Sequence, residues 1–200
     1  MIPEEMLLRS PARRPDHSTR VRQLDDLLCE LHLPRGRLPE ASLATLVLAV
    51  ASRPHLFEDL VVDDPDARWW MLLREAENFD LRVLSWERDQ ETDWHDHGGA
   101  SGAYAVTSGT LIERFRDVDN VSLVTRQVGV GQFATFGSSH VHDVVYGDGP
   151  PAVSIHAYSP PLTGLTFYDR TRYGFVSREV VPEERLKPFE ARSTSSAAVR

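Results

Sequence analysis

The spacing of apolar residues changes once along the chain, and that change divides the protein. From Ser18, the apolar residues Val21, Leu24, Leu27, Leu28 and Leu31 recur three or four positions apart, which is the period of an amphipathic helix. Ser18 or Thr19 is suited to cap its start and Pro34-Arg35-Gly36 to stop it. Pro39 opens a second helix with the stripe Leu43, Leu46, Val47 and Val50, ending before Pro54. Cys29 lies beside the apolar positions of the first helix, where a small packed residue is expected.

After Pro65 the period drops towards two. Runs rich in Val, Leu, Phe, Trp and Thr predict strands over residues 69–74, 79–87, 92–96, 103–107, 110–117, 121–128, 132–136, 142–146, 152–158, 165–169 and 173–181. Turn signals separate them, as in Ser108-Gly109, Asp119-Asn120 and Gly147-Asp148-Gly149-Pro150. Many short strands without an intervening helical pattern predict an all-β fold, an antiparallel barrel or double-sheet jelly roll, preceded by two to three N-terminal α-helices. The expected organisation is a poorly ordered arm over residues 1–17, a helical segment over 18–65 packed on a barrel over 66–182, and a partly disordered tail over 183–200.

Composition narrows the function. With 22 Lys plus Arg against 30 Asp plus Glu, the net charge of −8 supplies no cationic surface for tracking phosphates, so nucleic acid is not an expected partner. One cysteine excludes an intrachain disulfide framework and any thiolate-built zinc or iron–sulfur site, and it suits a reducing compartment. The longest apolar stretch, residues 43–51, is too short to span a membrane, and no leader pattern is evident. The expectation is a soluble cytoplasmic protein, a monomer or weak homo-oligomer.

Of 8 histidines, His95, His97, His140, His142 and His156 fall between Asp93 and Tyr158. In a strand, His95 and His97 share a face while Asp96 points away, so two imidazoles converge on one point. That geometry suits a metal, and imidazole alone admits Fe, Zn, Ni, Cu or Mn. The competing reading is a solvated strand with two unrelated histidines. Ser154, His156 and Tyr158 likewise share a face, where His156 can orient the Tyr158 phenol by a hydrogen bond.

At these residues the sequence resembles the cupin superfamily, a jelly-roll barrel with two conserved motifs. His95, His97 and Gly109 fall in register with the first motif, while the place of its glutamate ligand is taken by Gly102. The resemblance therefore implies an all-histidine set. In the second motif, Gly131, Gly137, Ser139 and His142 keep the spacing, so His142 is implied as the third ligand and His140 as a neighbour outside the metal's contact.

The combination is similar, more narrowly, to the cysteine dioxygenase family, bacterial type. The segment WERDQETDWHDHGGASGAYAVTSG from Trp86 to Gly109 and the block VSIHAYSPP from Val153 carry that similarity, which extends over about residues 68–181. It implies Fe(II) on His95, His97 and His142, and a chain Ser154, His156, Tyr158 whose phenol donates to O₂ or to the substrate. It also implies an Arg for the substrate carboxylate. Arg68 stands 27 residues before His95, one more than the family spacing, and Arg74 and Arg82 compete for the role. A guanidinium suits it because it offers two parallel donors. Arg68 together with Ser159-Pro160-Pro161 favours L-cysteine over 3-mercaptopropionate. Animal members carry a Cys that bonds to the Tyr, and its place is Gly102, so no Cys–Tyr cross-link is expected. The implied reaction is oxidation of L-cysteine with O₂ to cysteine sulfinate. The alternatives are dioxygenation of 3-mercaptopropionate or another small thiol, and a metal-binding cupin that is an isomerase or sensor.

Overall fold

The computed structural model describes residues 16–116, 123–172 and 174–185. The expected N-terminal arm lies outside these residues except for its last two, as does the tail beyond 185. So do the far end of the strand expected over 110–117, the first two residues of that over 121–128, and Tyr173.

Two helices open the described chain, α1 (His17–Glu30) and α2 (Glu40–Ala51). The cap of α1 is Asp16 rather than Ser18 or Thr19. Its carboxylate accepts from the Thr19 amide at 2.8 Å and the Ser18 hydroxyl at 2.7 Å, and these bonds hold its pKa at about 2. Pro39 stands before α2, where its missing amide costs nothing. The apolar stripe of α1 is narrower than its sequence suggested: Leu24 and Leu27 are buried, Val21 is exposed, and Cys29 is exposed rather than packed. One residue further round the helix from Leu28 is enough to carry a side chain off the buried face.

Eleven strands follow among the described residues: β1 (Trp70–Glu75), β2 (Asp80–Trp86), β3 (His95–Asp96), β4 (Ser101–Ser108), β5 (Thr110–Arg116), β6 (Leu123–Gly129), β7 (Phe133–Phe136), β8 (His142–Tyr146), β9 (Ala152–Ser159), β10 (Gly164–Thr171) and β11 (Gly174–Pro182). They form a five-stranded sheet, β1-β2-β9-β4-β7, and a six-stranded sheet, β11-β10-β3-β8-β5-β6. All the paired named strands are antiparallel. No helix among the described residues is long and apolar enough to cross a membrane.

Strand parity decides what faces the site. On the five-stranded sheet, Leu81, Val83, Ala103, Ala105, Ile155 and Ala157 point outward into one core with Leu43, Leu46, Val47 and Val50 of α2. Their neighbours Leu84, Trp86, Tyr104, Val106 and Tyr158 point inward, against Leu111, Val128 and Val144 of the other sheet. The central strands are thus buried on both faces, and β2 is buried at every position, its polar Asp80, Arg82 and Ser85 included. The helices hold the outer face dry. Truncating the fully buried Leu46 to Ala is expected to cost about 2–5 kcal/mol.

Candidate metal centre

Three imidazoles meet between the two sheets. His95 and His142 are cross-strand partners of β3 and β8. His97 lies past the end of β3, which is shorter than the strand predicted over 92–96. There Gly98 and Gly99 have φ of +59° and +89°, and the Asp96 carboxylate accepts from the Gly98 amide at 2.9 Å. Left-handed backbone of this kind ends the strand, and glycine adopts it without strain. Asp96 also accepts from the Tyr168 hydroxyl at 2.6 Å, so it points away from the imidazoles as expected. Donor atoms of His95, His97 and His142 lie within 4.8 Å of one another, and all three residues are buried.

The environment prepares these rings for a cation. Burial, reinforced by the charge that neighbouring histidines would carry, holds His95 and His97 well below the usual imidazole pKa. Burial also lowers His142, against the opposing pull of Glu113. They are neutral near pH 7, the form that binds metal. Two tautomers are set by acceptor-only partners: His95 Nδ1 donates to the Asp93 carbonyl at 2.9 Å, and His142 Nδ1 to Glu113 Oε1 at 2.7 Å. Each leaves Nε2 with a free lone pair. His97 Nδ1 is buried without a hydrogen-bond partner among the described residues. A neutral donor set with an orphaned ring nitrogen fits a divalent ion.

Glu113 was not foreseen from the sequence. It is fully buried on β5, and it accepts from the Tyr104 hydroxyl at 2.8 Å, Arg126 Nε at 2.6 Å and His140 Nε2 at 2.9 Å as well as from His142. Burial works to raise its pKa. The donors His140, His142 and Arg126 outweigh burial and hold the carboxyl far below its ordinary range. His140 accordingly sits outside the three-histidine cluster, joined to it through Glu113. The available signal was an acid sharing the inward parity of Leu111 on a strand that buries that face.

The opposite wall carries a continuous hydrogen-bonded chain. Trp86 Nε1 donates to Ser154 Oγ at 2.9 Å, Ser154 Oγ lies 2.8 Å from His156 Nε2, and His156 Nδ1 lies 3.2 Å from the Tyr158 hydroxyl. Burial first, then the charges of His142 and Arg68, lowers the His156 pKa to about 3. Burial pushes the Tyr158 phenol well above its usual value, so it keeps its proton.

Arg68, Arg82, His95, His142, His156 and Tyr158 line one cavity of about 70 Å³. The competing arginines separate by their partners. Arg74 pairs with Asp25 at 3.1 Å on the surface. Arg82 lines the cavity but is neutralised by Asp80 at 2.7 Å and Glu183 at 3.3 Å. Among the described residues Arg68 donates to the Glu91 carbonyl, at 3.0 Å, and its guanidinium lies 5.1 Å from the Trp86 ring centroid. Its Nε is buried and has no hydrogen-bond partner among the described residues. A larger groove of about 1210 Å³ runs beside α1, lined by Cys29, Arg35 and Arg74, and none of the three clustered histidines borders it.

Ser159-Pro160 is cis. Gly102 pairs with Tyr158 across β4 and β9, and a Cβ at position 102 would stand 2.3 Å from Phe136 Cζ and 3.1 Å from Tyr158 Cδ1.

A double-sheet roll closed around converging histidines defines a metal-binding protein of the cupin class. A model of the cysteine dioxygenase type I family matches residues 16–171, and the chain belongs to that family. No curated protein matches it. Similar solved structures include a conserved protein with a double-stranded beta-helix domain from Klebsiella pneumoniae, 15% identical with a TM-score of 0.49, covering 55% of this chain and 86% of that one. A cupin superfamily protein from Desulfitobacterium hafniense is 13% identical with a TM-score of 0.43, covering 64% and 94%. Family membership implies a dioxygenase-type enzyme that acts on a thiol with O₂.

Proposed function

We propose that the chain is an Fe(II)-dependent dioxygenase that oxidises L-cysteine to cysteine sulfinate, in a cytoplasmic setting and as a monomer or weak homo-oligomer. In this reading the helical segment 18–65 and the barrel 66–182 work as one unit. The observation that carries it is Arg68, which, among the described residues lining the small cavity it shares with His95, His142 and Tyr158, is the guanidinium with no carboxylate in direct contact. His95, His97 and His142 would hold the iron. Iron at that place would supply redox chemistry between a thiolate and O₂.

The remaining work falls to the chain. Arg68 takes the substrate carboxylate through its two-pronged donor set. Arg82 is already matched by Asp80 and Glu183, so the cavity offers charge for one carboxylate. Trp70, Trp86, Leu84, Val144, Leu162 and Leu165 line the remainder and keep water out. Tyr158, protonated and backed by His156 and Ser154, donates a hydrogen bond where negative charge develops on oxygen. The reaction balances without a reductant. The thiolate sulfur is oxidised by four electrons, O₂ is reduced by four, the O–O bond breaks, two S–O bonds form, and the thiol proton goes to solvent. Position 102 holds no cysteine, so Tyr158 acts as a plain phenol.

The test is anaerobic loading with Fe(II), followed by O₂ uptake and sulfinate detection on L-cysteine and 3-mercaptopropionate. Sulfinate from L-cysteine in proportion to O₂ consumed is expected. Uptake with 3-mercaptopropionate alone moves the assignment to that thiol, and no uptake with any thiol returns it to a metal-binding isomerase or sensor.

A further inference from the structure

We infer that Trp86 sets the direction of the hydrogen-bond chain that ends at Tyr158, leaving the phenol's own proton free to point into the cavity. The inference rests on the proposed thiol oxidation only for its catalytic meaning. The direction itself follows from counting donors and acceptors.

An indole N–H can only donate. Ser154 Oγ, fully buried, therefore accepts from Trp86 Nε1. The Ser154 hydroxyl has one proton, and its other partner among the described residues is His156 Nε2. Were that nitrogen protonated, Ser154 would accept twice, and its own proton would be buried with no acceptor. Nε2 is therefore the acceptor. A neutral imidazole has a single proton, which then sits on Nδ1 and faces the Tyr158 oxygen at 3.2 Å. The phenol oxygen accepts there, and the phenol O–H turns towards the space bordered by His95, His142 and Arg68.

Packing holds the ring in this pose. His156 is stacked on Tyr104, with centroids 5.1 Å apart and planes 15° from parallel, and on Trp86 at 6.4 Å and 30°. Trp86 therefore touches both halves of the site: its ring face lies beneath Arg68, and its N–H starts the chain to Tyr158. It is a positioning residue, acting through Ser154 and His156.

The experiment reads the tautomer of His156 by long-range ¹H–¹⁵N correlation on the full-length, ¹⁵N-histidine-labelled chain. The expected wild-type spectrum has Nδ1 protonated and Nε2 bare. Trp86→Phe keeps a ring under Arg68 but removes the donor, and it should give a mixture of both tautomers. Ser154→Ala, which leaves Trp86 in place, covers the case in which Trp86→Phe does not fold, and it should release the same mixture. In the iron-loaded enzyme, each variant should lower kcat about tenfold with little change in KM, and the double variant should lose no more than either single one. Protonation on Nε2 in the wild type overturns the inference, as does an unmixed Nδ1 tautomer in both variants. The expected tautomers in a chain that oxidises no thiol uphold the inference and sink the functional reading alone.

Discussion

Two polar networks back onto the same three histidines, and they are made of opposite chemistry. Behind β5 and β8 stands an ionised carboxylate, Glu113, gripped by Arg126, Tyr104, His140 and His142. Behind β2, β9 and β4 runs a chain of neutral groups from Trp86 to Tyr158. Tyr104 joins them, with its hydroxyl on Glu113 and its ring face on His156. A carboxylate can only accept, so the orientation it imposes on His142 cannot reverse. A neutral hydroxyl–imidazole chain can run either way, so its direction must be imposed from one end. One network is suited to holding a metal ligand still, and the other to presenting a proton on a chosen side.

The largest expected effect removes the charged anchor. Glu113→Ala strands buried partners, and urea unfolding should show a loss of about 3–5 kcal/mol. Fe(II) titration should show affinity reduced about 10–100-fold, because the carboxylate that orients His142 is gone. Unchanged affinity would erase the distinction between the networks. Next comes Tyr158→Phe, which deletes only the terminal hydroxyl of the neutral chain. Sulfinate formation should fall about 10²-fold with iron stoichiometry intact.

A pH series sharpens the contrast. His156 is neutral when folded, with a pKa lowered to about 3, against about 6.5 unfolded. Below about pH 6.5 the unfolded chain binds the proton that the folded chain refuses, so this residue's contribution to stability is complete above that pH. It shrinks as pH falls towards 3. The slope is about 1.4 kcal/mol per pH unit, and His156→Gln should flatten the profile of the iron-free chain by that amount. An unaltered slope would place the acid sensitivity elsewhere. The smallest effect belongs to His140→Asn, which removes one of four donors to Glu113 and should cost about 0.5–1.5 kcal/mol with iron still bound.

These differences also explain what could be read from the sequence. Alternation is local, so the strands and the inward sharing of Ser154, His156 and Tyr158 were legible, as was the convergence of His95 and His97. Strand alternation accounts for only half of that convergence. His97 reaches the cluster from a glycine turn beyond a two-residue strand, and the Asp96 side chain that shapes the turn also bonds Tyr168, 72 residues away. Glu113 was missed because its meaning lies in register. It faces Arg126 across β6, Val144 across β8 and Tyr104 from the other sheet, and no window of sequence contains those partners together. Cys29 was misplaced because one step around a helix is a finer distinction than an apolar stripe resolves.

Gly102 has a consequence for how this site can change over generations. Its missing side chain is not a vacancy, since the Phe136 ring fills the place where a Cβ would stand. A lone Gly102→Cys substitution drives a carbon into that ring before any sulfur can reach Tyr158. The smaller residue at 136 that would admit it opens a hole beside His97, whose ring lies on Phe136 at 4.6 Å. Positions 102 and 136 are therefore tied together: a side chain at 102 requires the Phe136 ring to move or shrink. A sulfur-linked tyrosine at this site is thus a matter of two positions, 102 and 136, and not of one.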